Sequence, residues 1–319
     1  MILKRTIGAV LALMTGVAIA HAFPDKPVRI LVGYAAGGPT DVVARIIAER
    51  LTTMNGQSFI VENKPGASSA IATAEVVRAA PDGYTLLMAA SNHTTNPAIM
   101  EKLPYDSSTD LRGLALVSDG PHVLVAHPGA PFGTLQALIE TAKSKPGQLA
   151  YSSSGLGGTV HFAGALLEDA AGIQLIHVPY RGAAPAVQDL LSGKVQLSPA
   201  TLASVSSHIK AGQLRLLATA SPKRLSEFPD VPTFAELGFP QVTISAWAGL
   251  LLPAKTPQAI VDKLSDQIGR ILAEPAVIAK IEALGMKPVG LMGRDFDKRI
   301  AEEIAMFSRL AKARNIKSE

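Results

Sequence analysis

The sequence predicts an α/β protein of two lobes, each a mainly parallel sheet flanked by helices. Three observations predict it. Short β-like runs alternate with longer amphipathic ones from Pro27 onward, the alternation restarts after the middle of the chain, and two apolar stretches stand where the chain can cross between units. Strand–helix–strand order favours parallel strands covered on both faces.

In chain order, "VRILVGYA" is β-like and "TDVVARIIAERL" carries apolar residues at helical spacing. "SFIVENK" is β-like, "SSAIATAEVVRAA" helical and "YTLLMAA" β-like again. The second unit reads as "QLAYSSS", "TVHFAGALLEDAAG", "IQLIHVPY", "APAVQDLLSG" and "VQLSPA". Between the units, "LRGLALVSDGPHVLVAHPG" is expected to cross as two apolar runs broken by "SDGP". "VTISAWAGLLLPAKTP" is the second crossing, followed by helices in "AIVDKLSDQIGRILA", "AVIAKIEALG" and "FDKRIAEEIAMFSRLAKAR". Two crossings return the C-terminal segment to the first unit. The expected division is residues 23–122 with 246–319 as lobe 1 and 123–245 as lobe 2, hinged around a cleft. Trp247, the single tryptophan, sits in a crossing strand, where it packs in the core or reports closure.

Residues 1–22 read as a leader. Lys4 and Arg5 precede an apolar run from Ile7 to Ala20, and "AHA" supplies small residues for cleavage. The run is too short for the roughly 20 residues that span a bilayer, so an exported, periplasmic chain is expected. Of 30 basic residues, Lys4 and Arg5 leave with the leader, so 28 face 26 acidic ones. That balance, with no basic cluster interleaved with aromatics, argues against nucleic acid. There is no cysteine, so stability rests on buried area and no thiol chemistry arises.

Ligands of open parallel sheets sit beyond the carboxyl ends of strands, where loops enter helices. The stretch "YAAGGPTD" is such a loop. Gly37 and Gly38 open the backbone to a ligand, Pro39 suits the first helical position, and the amides of Thr40 and Asp41 favour an anion. Asp41 either occupies amides of its own helix start or receives a ligand amine. In the second unit "SSSGLGGTVH" repeats the device, with hydroxyls from Ser153, Ser154 and Thr159 and open backbone at Gly155, Gly157 and Gly158. Two helix starts facing one cleft would suit a small carboxylate. Ser69 in "NKPGASSA", Ser91 and Asn92 in the "SNHTTNPAI" loop, and Tyr180 and Gly182 in "VPYRGAAPAV" have the same placement, though ordinary caps use the same residue types. Arg181 is a cationic candidate that a loop tip leaves solvated, outside the site.

Other chemistries lack their residues. No Lys-Ser or Lys-Thr follows the first glycines, and neither Gly-rich loop has dinucleotide spacing, so no cofactor is expected. No Gly-x-Ser-x-Gly elbow exists. His161 near Ser153 and Ser154 could form a base–nucleophile pair of an exported hydrolase, against a packing or ligand-facing role one turn into a helix. His93, His122, His127, His177 and His208 show no metal-ligand spacing.

"FPDKPVRILVGYAAGGPTDVVAR", "VENKPGASSAIATAEVVRAAPDGYTLLMA", "HVPYRGAAPAVQDLLSGKVQL", "FPDVPTFAELG" and "SAWAGLLLPAKTP" together resemble the Bug-type periplasmic solute-binding proteins of tripartite tricarboxylate transporters. The match runs in order over nearly the whole chain after the leader. The resemblance implies a two-lobed periplasmic-binding-protein (Venus flytrap) fold, monomeric and without catalysis. Such a receptor closes on a small di- or tricarboxylate and passes it to membrane transporter subunits, or presents it to a sensor. It also implies a water-bridged grip on a ligand carboxylate by the loop from Tyr34 through Ala36 to Asp41, and a second contact set from Ser152 to His161. Where many members carry a Phe-Asp pair after "VQL", this chain has Pro199 and Ala200. Loss of that acid implies a plain or aromatic dicarboxylate rather than an amino acid or amide.

Overall fold

A computed structural model describes residues 23–317; the expected leader at residues 1–22 lies outside the described residues. The first unit opens with β1 (Val28–Val32), α1 (Pro39–Asn55), β2 (Phe59–Asn63), α2 (Ala70–Arg78) and β3 (Thr85–Ala90). β1 pairs in parallel with β2 on one side and β3 on the other. Ile30, Leu31 and Val32 are apolar at consecutive positions because both sheet faces are covered there. On one face, Val43, Ile47 and Leu51 of α1 pack with Ile30, Val32 and Met88 and with Leu264 and Ile268 of a later helix. On the other, Leu31 and Leu87 meet Ala72, Val76, Trp247 and Phe296.

Helix α1 begins where Pro39 needs no amide donor and ends at Gly56, whose φ of 65° is the left-handed stop. Helix α3 (Asn92–Ile99) follows β3 directly, with Pro97 inside it. The segment "SNHTTNPAI", expected as a loop, is thus helical. Its buried face, including His93, Thr94 and Asn96, outweighs the weak helical preference of Asn and Thr.

The first crossing is also more continuous than expected. β4 (Leu111–Ala126) runs unbroken through Ser118–Pro121. From Leu111 to Pro121 it pairs antiparallel with β9 (Ser245–Pro253), the second crossing, with register shifts near Gly113 and Leu116. The expected break at "SDGP" is absorbed because Asp119, Gly120 and Pro121 are held opposite Trp247, Ala246 and Ser245.

Beyond the crossing come α4 (Leu135–Ser144), β5 (Ala150–Ser153), α5 (Thr159–Ala171), β6 (Ile176–Pro179), α6 (Ala183–Leu191), β7 (Leu197–Thr201), α7 (Leu202–Lys210) and β8 (Arg215–Thr219). β5 pairs in parallel with β6 and β7, whereas β7 and β8 run antiparallel to the far half of β4. Helices α4 and α5 cover one face around Leu138, Phe162 and Leu166, and α6 and α7 the other around Val187, Leu190 and Val205.

After β9 the chain adds α8 (Gln258–Leu272), α9 (Pro275–Glu282), β10 (Lys287–Met292) and α10 (Gly293–Arg314). β10 pairs antiparallel with the near half of β4. Helix α10 touches both units: Phe296 and Ile300 join the Trp247 core, while Phe307, Leu310 and Ala311 join Phe162 and Leu166. Its first turn lies close on the sheet, where a Cβ at Gly249 would stand 2.5 Å from the Phe296 ring.

Candidate functional site

The loop from β1 to α1 is braced from beneath by Asp41, which is 1% exposed. One carboxylate oxygen accepts from the Gly37 amide at 2.8 Å and Arg45 Nε at 2.9 Å; the other accepts from Arg45 Nη2 at 3.0 Å and Asn63 Nδ2 at 2.8 Å. Asn63 also donates to the Tyr34 carbonyl at 3.0 Å. Burial alone would raise the Asp41 pKa, but Arg45, the Gly37 amide and Asn63 outweigh it and hold the carboxyl below its usual range. Asp41 therefore fixes the loop's shape. Gly38 is the N-cap residue and no side chain caps the helix, so the first-turn amides keep their anion-binding character.

That helix start opens on a cavity of about 310 Å³. Tyr34, Gly38, Thr40 and Ser91 line one side; Thr201, Leu202 and Ala203 line the opposite one. Gly120, Ala246 and Trp247 of the crossing strands form its back, and the α9–β10 turn contributes Leu284 and Met286. The helix start facing α1 across this space is that of α7. Thr201 also borders a second recess of about 80 Å³, with Ser154, Val160, Ser198, Pro199, Ala200 and Ser204.

The α5 turn is held by its histidines. The Gly157 amide donates to His161 Nδ1 at 3.0 Å, and the His161 ring stacks on His177 with centroids 3.7 Å apart. His177 stacks in turn on Tyr151 at 4.9 Å. Burial depresses His161 to about 3, with His177 adding repulsion, and burial depresses His177 to about 4. Both rings are neutral at pH 7. Ser153 Oγ lies 2.7 Å from His177 Nε2 and also bonds the Gly155 backbone. The serine–histidine contact thus uses His177 in place of His161. Ser153 is fully buried, and its hydroxyl pins the turn. His122, on β4, reaches Thr159 Oγ1 through Nε2 at 3.1 Å.

Of the residues expected at the site, Tyr34, Gly38, Thr40 and Ser91 meet on the main cavity and Ser154 on the recess. Ala36 and Gly37 lie on the exposed part of the first loop. Gly158 and Gly182 are the N-cap residues of α5 and α6. Others brace loops: Ser69 is packed against Gly33, Asn92 donates to the Ser68 carbonyl, Gly157 packs on Ile99, and Tyr180 donates to Asp189 at 2.8 Å. Sequence reading missed Thr201, Leu202 and Ala203, although "SPATLAS" is another strand-to-helix turn that could have revealed them. Leu284 and Met286 come from a helix-to-strand turn, at the opposite kind of strand end, and carried no such signal.

The model of the tripartite tricarboxylate transporter family receptor matches residues 43–316. Protein BugT of Bordetella pertussis is 36% identical over 272 residues, covering 85% of this chain and 83% of BugT. Among solved structures, R. palustris Rpa4515 with adipate is 32% identical at a TM-score of 0.76, covering 92% of this chain and 99% of its own. The periplasmic binding protein BugD is 31% identical at a TM-score of 0.73, covering 93% of this chain and all of its own. The fold is accordingly the α/β fold of periplasmic binding proteins, and this chain belongs to the Bug-type receptors of the tripartite tricarboxylate transporter family.

Proposed function

We propose that this chain is a periplasmic receptor that captures a small carboxylate between residues 23–122 with 246–319 and residues 123–245, then delivers it to a membrane transporter. One observation carries the reading: the uncapped start of α1 opens on the cavity between the units, flanked by Tyr34, Thr40 and Ser91. A carboxylate there accepts from first-turn amides and from the hydroxyls of Thr40 and Ser91, directly or through water. The positive end of the helix dipole supplies attraction without a cation beside the ligand. The adipate complex of Rpa4515, a relative of similar fold, supports this choice of ligand class.

Both walls contact one ligand, so the closed arrangement gains affinity that an open one lacks; that difference drives closure. The chain acts as a monomeric carrier without turnover. The test is a thermal-shift series with the leaderless protein against short-chain and aromatic acids. Acid at about 100 times its dissociation constant should stabilise the protein by about 2.7 kcal/mol, and the acid should be recovered unchanged. Absence of a shift with every acid, or conversion of the acid, refutes the proposal.

A further inference from the structure

We infer that the body of the ligand is bare hydrocarbon, an aromatic ring or an unsubstituted chain, and that hydroxylated and aminated acids are rejected. The inference rests on the carboxylate reading of the cleft and concerns what lies beyond the carboxylate. Apart from Thr201, the surface facing α1 is apolar: Leu202, Ala203, Ala246, Trp247, Leu284 and Met286. Val160, Ala186, Val187, Pro199 and Ala200 continue it into the recess. No described charged residue lines either space.

Apart from the Ser154 hydroxyl, the polar side chains of the recess already have partners. In the recess, Ser198 Oγ donates to the carbonyls of Ser152 and Pro199, and Ser204 Oγ to that of Thr201. The Thr201 hydroxyl donates to Ser204 Oγ at 3.1 Å. The Trp247 indole N–H donates to Glu303, away from the ligand space. A ligand ammonium would need an acid, yet the acids around the cleft face arginines. Asp41 holds Arg45, while Glu303 and Asp119 both hold Arg299. Strand alternation turns Asp119 to the α10 side when its neighbour Gly120 lines the cavity.

A hydroxyl or ammonium on the ligand would therefore lose water and find no free partner beyond Ser154 and the hydroxyls that hold the carboxylate, whereas a hydrocarbon body meets matching walls. The space is ample. An apolar cavity of about 150 Å³ suffices for benzene, and the main cavity is about 310 Å³.

Calorimetry with matched acids tests this: succinate against malate, glutarate against glutamate, and hexanoate and benzoate against their hydroxylated twins. The unsubstituted member of each pair should bind about 10- to 100-fold tighter. Met286→Gln, which puts an amide on the wall, should shrink that ratio. Equal or tighter binding of the substituted twins by the unaltered protein overturns the inference while leaving carboxylate capture intact. If no acid binds, capture itself fails.

Discussion

Gly38→Val separates the ligand role of the α1 start from its structural role. Gly38 has φ −74° and ψ 163°, an extended conformation open to any residue. A Cβ there would meet only the Ala35 carbonyl oxygen, at 3.7 Å, an ordinary contact. The substitution is thus accommodated by the fold, and replacing an N-cap glycine by valine should cost about 1 kcal/mol. The added methyl groups occupy the cavity edge that Gly38 lines and crowd the first-turn amides. Loss of one charge-assisted hydrogen bond is about 1.5–3 kcal/mol, so affinity should fall roughly 10- to 100-fold. Calorimetry on the wild type and variant, with unfolding curves of both in the absence of ligand, measures the two effects. Unchanged affinity in a well-folded variant would show that the carboxylate does not sit at this helix start. Gly157→Val is a poorer probe, because that residue has φ +69° and a Cβ would stand 2.3 Å from Ile99.

Asp41→Asn should destabilise the protein by about 1.5–3 kcal/mol, because the Gly37 amide, Asn63 and the half-exposed Arg45 lose hydrogen bonds to a buried anion; no loss in a denaturant titration would refute the bracing role. Since the folded Asp41 pKa is lowered, its contribution is complete above the unfolded value of about 3.9 and disappears as pH falls through the folded one. Burial holds the histidines His93, His122 and His177 near about 4 and His161 near about 3. Their neutral packing therefore stabilises fully above the unfolded value of about 6.5 and is lost as pH drops toward the folded values. Melting temperature should fall on acidification from pH ~6.5, and His177→Phe, which keeps a stacked ring, should flatten that slope. Gly164→Ala sets a Cβ 2.3 Å from the Tyr151 ring and should cost about 1–3 kcal/mol by overpacking, read from the unfolding midpoint. Glu303→Gln leaves an acceptor for Trp247 and Thr94 but removes one of the two charges facing Arg299; it should lower stability by about 1.5 kcal/mol and alter Trp247 emission.

The alternation of elements was legible because burial on both faces leaves consecutive apolar residues in β1 and β3, whereas α1 keeps an exposed stripe. Where tertiary packing overrides local preference, the signal disappears. Asn92–Ile99 carries cap and turn residues, yet α3 is helical because α10 and the Ser107 carbonyl take up polar groups on its buried side. The pair "GP" inside β4 reads as a break, but β9 supplies an antiparallel partner across it that no local pattern reveals. β10 is similar. Its half-buried residues are strand-like only beside the near half of β4.

For the site, sequence pattern identifies the kind of turn but not which turns share a space. The α5 start has more glycines and hydroxyls than any other turn in the second unit, and part of that chemistry serves the turn itself: Ser153, His161 and His177 close on one another and on its backbone. The α7 start has no glycine and signals only a strand-to-helix turn, yet Thr201 to Ala203 line the same cavity as Gly38 and Thr40. Placement follows from the sheet. β7 pairs directly with β4, the strand that continues into the first unit, so the turn after β7 lies beside the crossing. β5 stands one strand farther out and β6 beyond it. The nearer turn lines the main cavity; the α5 turn reaches only the adjoining recess through Ser154 and Val160. Strand order decides which polar loop touches the ligand space, and strand order is what a single sequence encodes least directly.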